Sequence, residues 1–364
     1  MSLLYEIALT LIPGIGDING KKLVNYCGSA EAVFKEKKSA LMRIPGIGEH
    51  TANAIINAKP FDRAQQEIEF IEKFNIKVLY FKDKDYPLRL RNCEDGPLLI
   101  YYKGSESLNP PLSLSIVGTR RATDYGKWYI DKLMEALSPY AVVIVSGLAF
   151  GIDTAAHRSA LEHGLPTIAV LGHGLDRIYP GQNRQLAKRM LNHGGLLSDF
   201  PSQTNPDREN FPKRNRIIAG LCDALLVIET GIKGGSLITA DIANSYNRDV
   251  FALPGRFGDI MSEGCNWLIR TNRASLLDSP ETLLKELGWL KEGNVPQVAQ
   301  SKLFIEYTED EKKIIEILNR NTKAGIDKIC IESQLPSTKV AAALLNLEFQ
   351  GIVKCLPGKI YQLI

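Results

Sequence analysis

Between Leu112 and Leu287 the chain repeats one unit: a short apolar run, a glycine-bearing turn, then an amphipathic stretch. The apolar runs are Leu114–Val117, Val142–Val145, Thr167–Leu171, Ala224–Ile228 and Val250–Leu253. They are near-continuous Val, Ile, Leu and Ala, without polar alternation. Strands of that composition are buried on both faces, as when helices cover both sides of a parallel sheet. Gly118, Ser146-Gly147 and Gly172 follow three of them, and helical patterns come next at 123–138, 153–163, 182–192, 236–246 and 262–270. This alternation predicts an α/β domain over 112–290, a Rossmann-like doubly wound and mostly parallel sheet.

The flanking regions follow other rules. Leu11-Ile12-Pro13-Gly14-Ile15-Gly16 returns as Arg43-Ile44-Pro45-Gly46-Ile47-Gly48. Helical patterns follow the copies at Lys21–Tyr26 and Thr51–Ala58, so residues 1–81 are expected to form an all-α domain resembling helix-hairpin-helix units. Glycine lets such a hairpin turn tightly, with backbone N–H groups facing a phosphate. Gly14, Gly16, Lys21 and Lys22 make the first copy a candidate secondary DNA contact. The second copy has Glu49 and His50 instead and is expected only to pack. A proline-bearing connector is expected over 82–111, and a polar linker over 291–303. Residues 304–364 pattern as a helix at Glu309–Leu318, the stretch Gly325–Glu332, a helix at Ser337–Gln350 and a hairpin around Pro357-Gly358. That is the layout of a winged-helix domain. Its last helix carries a single cation, Lys339, beside Glu348, so protein contact or packing is expected of it before DNA reading.

Net charge is only +3, from 44 Lys and Arg against 41 Asp and Glu. Any nucleic-acid affinity must therefore come from local patches and not from a global field. The cysteines, at 27, 93, 222, 265, 330 and 355, form no C-x-x-C pair, and the histidines do not cluster. Neither a metal site nor a disulfide scaffold is expected, and a reducing cytoplasm fits. Glu6 interrupts the first apolar residues, which no basic region precedes, and no apolar run approaches membrane-span length.

The local patch is Phe211–Gly220, F-P-K-R-N-R-I-I-A-G. Lys213, Arg214 and Arg216 crowd beside Asn215 behind Pro212, at what reads as the first turn of a partly buried helix. Cations there oppose the macrodipole, and a chain tolerates them when an anion, such as phosphate, sits there too. A basic surface turn is the plainer reading. Ligands of open α/β sheets bind outside the carboxyl ends of the strands. Four segments should converge there: Val117–Arg121, Ser146–Asp153, Phe211–Arg216 and Gly234–Thr239. Glycines permit close backbone approach, and Arg120 suits bidentate phosphate pairing. No G-x-G-x-x-G and no G-x-x-x-x-G-K-[ST] occurs, which argues against a P-loop ATPase. Asp153 reads as a helix cap, His157 as a packing histidine, and His173 as a loop residue without an acid partner. The set suits holding a polyanion better than cleaving one, and no cofactor is expected.

S-I-V-G-T-R at 115–120, S-G-L-A-x-G-I-D-x-x-A-H at 146–157 and V-L-G-x-G-L-D-x-x-Y-P at 170–180 stand in order. F-P-x-R-N-R-I-I-A-G-L at 211–221 and G-G-S-L-I-T-A at 234–240 follow, then A-L-P-G and G-C-N-x-L-I. Across essentially the whole central domain this series resembles the DprA (Smf) family. The resemblance implies a bacterial cytosolic protein that binds single-stranded DNA, protects incoming strands during natural transformation and loads the RecA recombinase. It implies a homodimer formed through the Rossmann-type domain, without catalytic turnover. It also implies an N-terminal helical domain of helix-hairpin-helix or SAM-like type and a C-terminal winged helix. Carried over by motif, Arg120, Lys213, Arg214 and Arg216 hold phosphates. Gly118, Thr119, Ser146, Gly147, Gly234, Gly235 and Ser236 shape the groove, and Phe211 and Asn215 touch a base or support the loop. Asn272-Arg273, and Gly234 where serine is also common, depart from the family pattern. The competing class is an enzyme, a nucleoside-monophosphate phosphoribohydrolase of the LOG and lysine-decarboxylase-like kind. Those carry P-G-G-x-G-T-x-x-E, and the run Gly235–Ala240 offers no glutamate at the matching position.

Overall fold

The computed structural model describes residues 2–290, 307–321, 323–349, 352–356 and 359–363. The chain divides into two units, Met1–Trp289 and Leu290–Ile364. The expected linker at 291–303 and the hairpin tip at Pro357-Gly358 lie outside the described residues.

Six helices open the first unit: α1 (Ser2–Thr10), α2 (Asp17–Cys27), α3 (Ala30–Lys35), α4 (Lys38–Leu41), α5 (Glu49–Asn57) and α6 (Phe61–Phe74). The two P-G-I-G copies are the turns before α2 and α5. Gly14 and Gly46 take φ of +82° and +86° there, a region that favours glycine. Strand β1 (Lys77–Tyr80), helix α7 (Leu88–Arg91) and strand β2 (Leu99–Gly104) follow. The stretch 82–111 is thus no extended connector. Strand β2 pairs antiparallel with β1, and Leu98, Leu99 and Tyr101 join Ile7, Leu9, Leu23, Leu41 and Ile55 in one apolar cluster. The helical layer is therefore welded to a sheet edge. Its prolines flank these elements, which hid them from a reading by composition.

The rest of the unit alternates strand and helix: β3 (Leu112–Gly118), α8 (Asp124–Leu137), β4 (Val142–Ser146), α9 (Ile152–Glu162), β5 (Thr167–Val170), α10 (Arg184–Met190), β6 (Gly194–Ser198), α11 (Asn210–Gly220), β7 (Ala224–Ile228), α12 (Gly235–Ser245), β8 (Asp249–Ala252), α13 (Glu263–Arg270), β9 (Ser275–Leu276) and α14 (Pro280–Glu286). The sheet order is β1-β2-β6-β5-β4-β3-β7-β8-β9. From β6 to β9 every pair is parallel, and β2 pairs antiparallel with β6. After β3 the chain steps one way to β6, then returns to the other side of β3 and steps the opposite way. Right-handed crossovers accordingly set α8–α10 on one face and α12–α13 on the other. The reversal puts a crevice between the loops after β3 and β7. Strand β6, which the apolar pattern had not indicated, opens on two glycines for a steric reason. A Cβ on Gly195 would stand 2.4 Å from the Tyr102 ring, and Gly194 adopts φ +137°.

The second unit holds α15 (Glu309–Asn321), β10 (Ala324–Gly325), α16 (Ile326–Ser333), α17 (Ser337–Phe349), β11 (Val353–Leu356) and β12 (Ile360–Leu363), with strand order β10-β12-β11. Ile314, Leu318, Ile329, Val340, Leu344 and Leu347 form its core. This is the expected winged-helix layout. Lys339 of α17 faces Asp310 at 3.8 Å.

Candidate nucleic-acid interface

The crevice at the switch point is a groove of about 660 Å³, walled by the four segments expected there. Its floor is fixed by close backbone packing. A Cβ on Gly118 would meet the Ile228 carbonyl at 1.9 Å. Thr119 N–H donates to the Glu229 carbonyl at 2.6 Å, and its carbonyl accepts from Ile152 N–H at 3.1 Å. Arg120 then emerges exposed, its guanidinium 5.7 Å from the centroid of the Phe211 ring. Phe211 is half-buried, with the exposed Tyr179 ring 6.1 Å away. Asn215 also lines the groove. Across it, Gly234 caps α12 and Gly235 opens that helix toward solvent.

The cation cluster divides. Helix α11 starts at Asn210, so Arg214 and Arg216 lie beyond its first turn. Arg214 is 4% exposed, and its Nη1 donates to the carbonyls of Gly147, at 2.7 Å, and Val170. Gly147 is glycine because a Cβ would stand 2.4 Å from that guanidinium. Burial lowers Arg214 to about 10, against the opposing pull of Asp153, so it stays cationic at neutral pH. Asp153 serves as its buried counter-charge, which corrects the reading of that residue as a cap. Its Oδ2 accepts from Ala149 N–H at 3.2 Å, and burial raises it while Arg214 pulls it down. Arg216 bridges Asp17 at 2.8 Å and Asp199 at 2.7 Å, with its side chain 14% exposed. The anions answering these two arginines are carboxylates of the chain itself. Of the four expected phosphate ligands, Arg120 and Lys213 remain open to an external anion. Lys213 makes one long ion pair among the described residues, with Glu209 at 4.0 Å.

Other expected site residues turn inward. The Ser146 hydroxyl donates to the Ile116 carbonyl at 2.6 Å and is fully buried. The Ser236 hydroxyl donates to Thr230 Oγ1 at 2.7 Å. Lys21 leans on the carbonyls of Cys93 and Glu94, and burial lowers its pKa. Lys22 stays exposed. Gly14 and Gly16 line a second pocket with Lys213, Asp17 and Asp199, whose lining shares no residue with the main groove. Two exposed groove cations escaped sequence reasoning: Arg208, three residues before Phe211, and Lys233, directly before the Gly234-Gly235-Ser236 run. That adjacency was the available signal. Glu229 escaped too. It sits buried at φ +53°, and its carboxylate is taken up by Thr123, by the backbone N–H at 2.8 Å and by the hydroxyl.

The histidines near the crevice are structural. His157 Nδ1 lies 2.7 Å from Thr167 Oγ1, and burial, aided by Arg214, holds its pKa down near 3. A histidine depressed in the fold contributes stability that is full above its unfolded value of about 6.5 and is lost as pH falls toward 3. Unfolding free energy is expected to drop between those limits with a slope approaching about 1.4 kcal/mol per pH unit from this group. Urea titrations of wild type and His157→Gln across the window check it, the variant giving the flatter profile. His173 Nδ1 contacts the Gly174 carbonyl at 2.9 Å, and its Nε2 accepts from Tyr179 N–H at 3.3 Å. It shapes the loop that carries Tyr179. Among the described residues no cluster of His, Cys, Asp and Glu suits a metal ion, and no helix is long and apolar enough to cross a membrane.

Fold and groove define a Rossmann-like α/β protein with a cation-lined crevice at its switch point, followed by a winged-helix module. The chain belongs to the DNA recombination-mediator protein A (DprA) family, whose model matches residues 77–288. The model of the DprA winged helix domain matches residues 300–359. The chain is 36% identical to Protein Smf of Synechocystis, over 98% of both chains. It resembles the X-ray structure of DNA processing protein A from Streptococcus pneumoniae at 34% identity and a TM-score of 0.67, covering 78% of this chain and 97% of that one. A second solved relative is DNA processing protein A from Helicobacter pylori, described for its single-stranded DNA binding mode. It is 30% identical with a TM-score of 0.54, over 59% of this chain and 97% of that one.

Proposed function

We propose that this chain binds single-stranded DNA in the switch-point groove and passes it to a RecA-type recombinase during DNA uptake and recombination. It does so as a cytoplasmic homodimer without catalytic turnover. The observation that carries the reading is the half-buried Phe211 ring, set 5.7 Å from an exposed arginine in a groove rimmed by further cations. A ring can stack under any base, while Arg120, Arg208 and Lys233 neutralise successive phosphates. Gly118, Thr119, Gly234 and Gly235 bring backbone close to the strand. Lys213, with Gly14, Gly16 and Lys22 of the first hairpin, supplies a secondary contact. The single-stranded DNA binding described for the Helicobacter pylori relative supports the ligand.

Duplex DNA hides its base faces, so stacking on Phe211 favours single strands. In competition against a labelled single strand, unlabelled single strand is expected to displace at least about ten-fold better than duplex of equal length. Equal displacement would reduce the groove to a general polyanion site. The phosphoribohydrolase reading predicts release of a free base from nucleoside monophosphates, which the same preparation can be assayed for. The carboxylates at the crevice are already engaged, Glu229 by the Thr123 N–H and hydroxyl and Asp153 by the Ala149 N–H beside the buried Arg214, which speaks against that chemistry.

A further inference from the structure

We propose that the exposed aromatic pair Tyr125–Trp128 on α8 extends the single-strand track beyond the groove, stacking bases of the strand as it leaves past Arg120 and Arg121. The inference rests on the groove reading above. Helix α8 buries Gly126, Tyr129, Ile130, Leu133, Met134 and Leu137 against the protein. Tyr125 and Trp128 lie outside that set, 47% and 56% exposed. Their ring centroids are 6.1 Å apart and their planes within 22° of parallel. The packing of α8 is made by its other face, so two large rings are displayed to water where small or charged residues would serve the fold equally. Near-parallel rings in solvent present faces that match nucleobases of any sequence.

Position supplies the second argument. The first turn of α8 is pinned to the groove wall. Its cap, Thr123, is held by Glu229, and a Cβ on Gly126 would come within 2.6 Å of that carboxylate. Arg120 and Arg121, both exposed, occupy the chain between the groove and this turn. A strand whose phosphates follow these arginines meets Tyr125 four residues on and Trp128 one turn later. Asp124 would repel a phosphate there, but Lys127 pairs with it at 3.1 Å. That pairing leaves the start of α8 without net negative charge, and the exposed Arg120 and Arg121 just before it favour a nucleic acid as the occupant over a purely apolar protein surface.

The test uses the full chain and two labelled single strands, one of about 4 nucleotides that fits the groove alone and one of about 16 that reaches past it. Trp128→Ala is expected to weaken the longer strand about ten-fold and leave the shorter unchanged, because each stacked base contributes that order of affinity. The slope of log affinity against log salt should stay at the wild-type value, since no phosphate contact is lost. Trp128→Phe should keep most of the affinity but lose the fluorescence quenching that the longer strand causes in wild type. Wild-type affinity for the longer strand in Trp128→Ala overturns the inference, as does an equal loss on both strands. A change in self-association of that variant with DNA binding intact overturns it too, and marks a protein-facing patch. If Arg120→Ala weakens both strands while Trp128→Ala weakens neither, only this inference falls. If Arg120→Ala also changes nothing, the groove reading falls with it.

Discussion

Arg216→Ala is expected to lower the stability of the Met1–Trp289 unit by about 3–5 kcal/mol, the usual cost of leaving a buried ion-pair partner uncompensated. Arg216 holds two carboxylates at once, Asp17 at the start of α2 and Asp199 just after β6, and also reaches the Asp95 carbonyl. Asp17 in turn accepts from the Leu98 backbone N–H at 2.6 Å. One guanidinium therefore ties the helical layer, the turn before β2 and the end of β6 together. Removing it strands Asp199, whose pKa burial already raises against the pull of Arg216. A carboxyl raised in the fold gains its proton there first, so acidification relieves the unpaired charge. The deficit of the variant is expected to shrink as pH falls. Urea unfolding of both proteins at neutral and mildly acidic pH measures it. A variant as stable as wild type that has nevertheless lost DNA affinity would return Arg216 to the phosphate contacts.

The contrast between Arg214, Arg216 and Lys213 shows what a sequence can and cannot reveal. Arg214 stands three and four residues before Ile217 and Ile218, on the face that α11 buries, so its inward course was readable from helical period. The engagement of Arg216 was not, because Asp17 is 199 residues distant along the chain. The five doubly buried strands were plain because their apolar runs need no tertiary knowledge to interpret. Strand β6 was hidden because the glycines that admit the Tyr102 ring look like a turn. Strand β2 was hidden among prolines, although four of its six residues are buried. The groove was legible as four segments at the carboxyl ends of the strands, three of them bearing glycine and one the cation run. Which of their donors face outward depends on packing, and Ser146 and Ser236 spend their hydroxyls inside.

The second large effect concerns the groove. Arg120→Ala combined with Lys233→Ala is expected to weaken single-strand binding by about 100-fold at low salt, as two charge-assisted contacts are lost. Both residues are exposed and line the crevice. Neither has an ion-pair partner among the described residues, so their removal strands no charge and melting should be close to wild type. Each phosphate neutralised on a single strand contributes about 0.7 to the slope of log affinity against log salt. The double variant should therefore flatten that slope by about 1.4. Arg120 also stands over Phe211, so its loss loosens the ring that receives a base.

Fluorescence anisotropy of a labelled single strand across a salt series, for wild type and for Arg120→Ala with Lys233→Ala, tests the central claim most directly. The account predicts tight wild-type binding that weakens with salt, and a folded variant with both lower affinity and a flatter slope. Identical affinity and slope in the two proteins would contradict it and remove the switch-point groove as the DNA site.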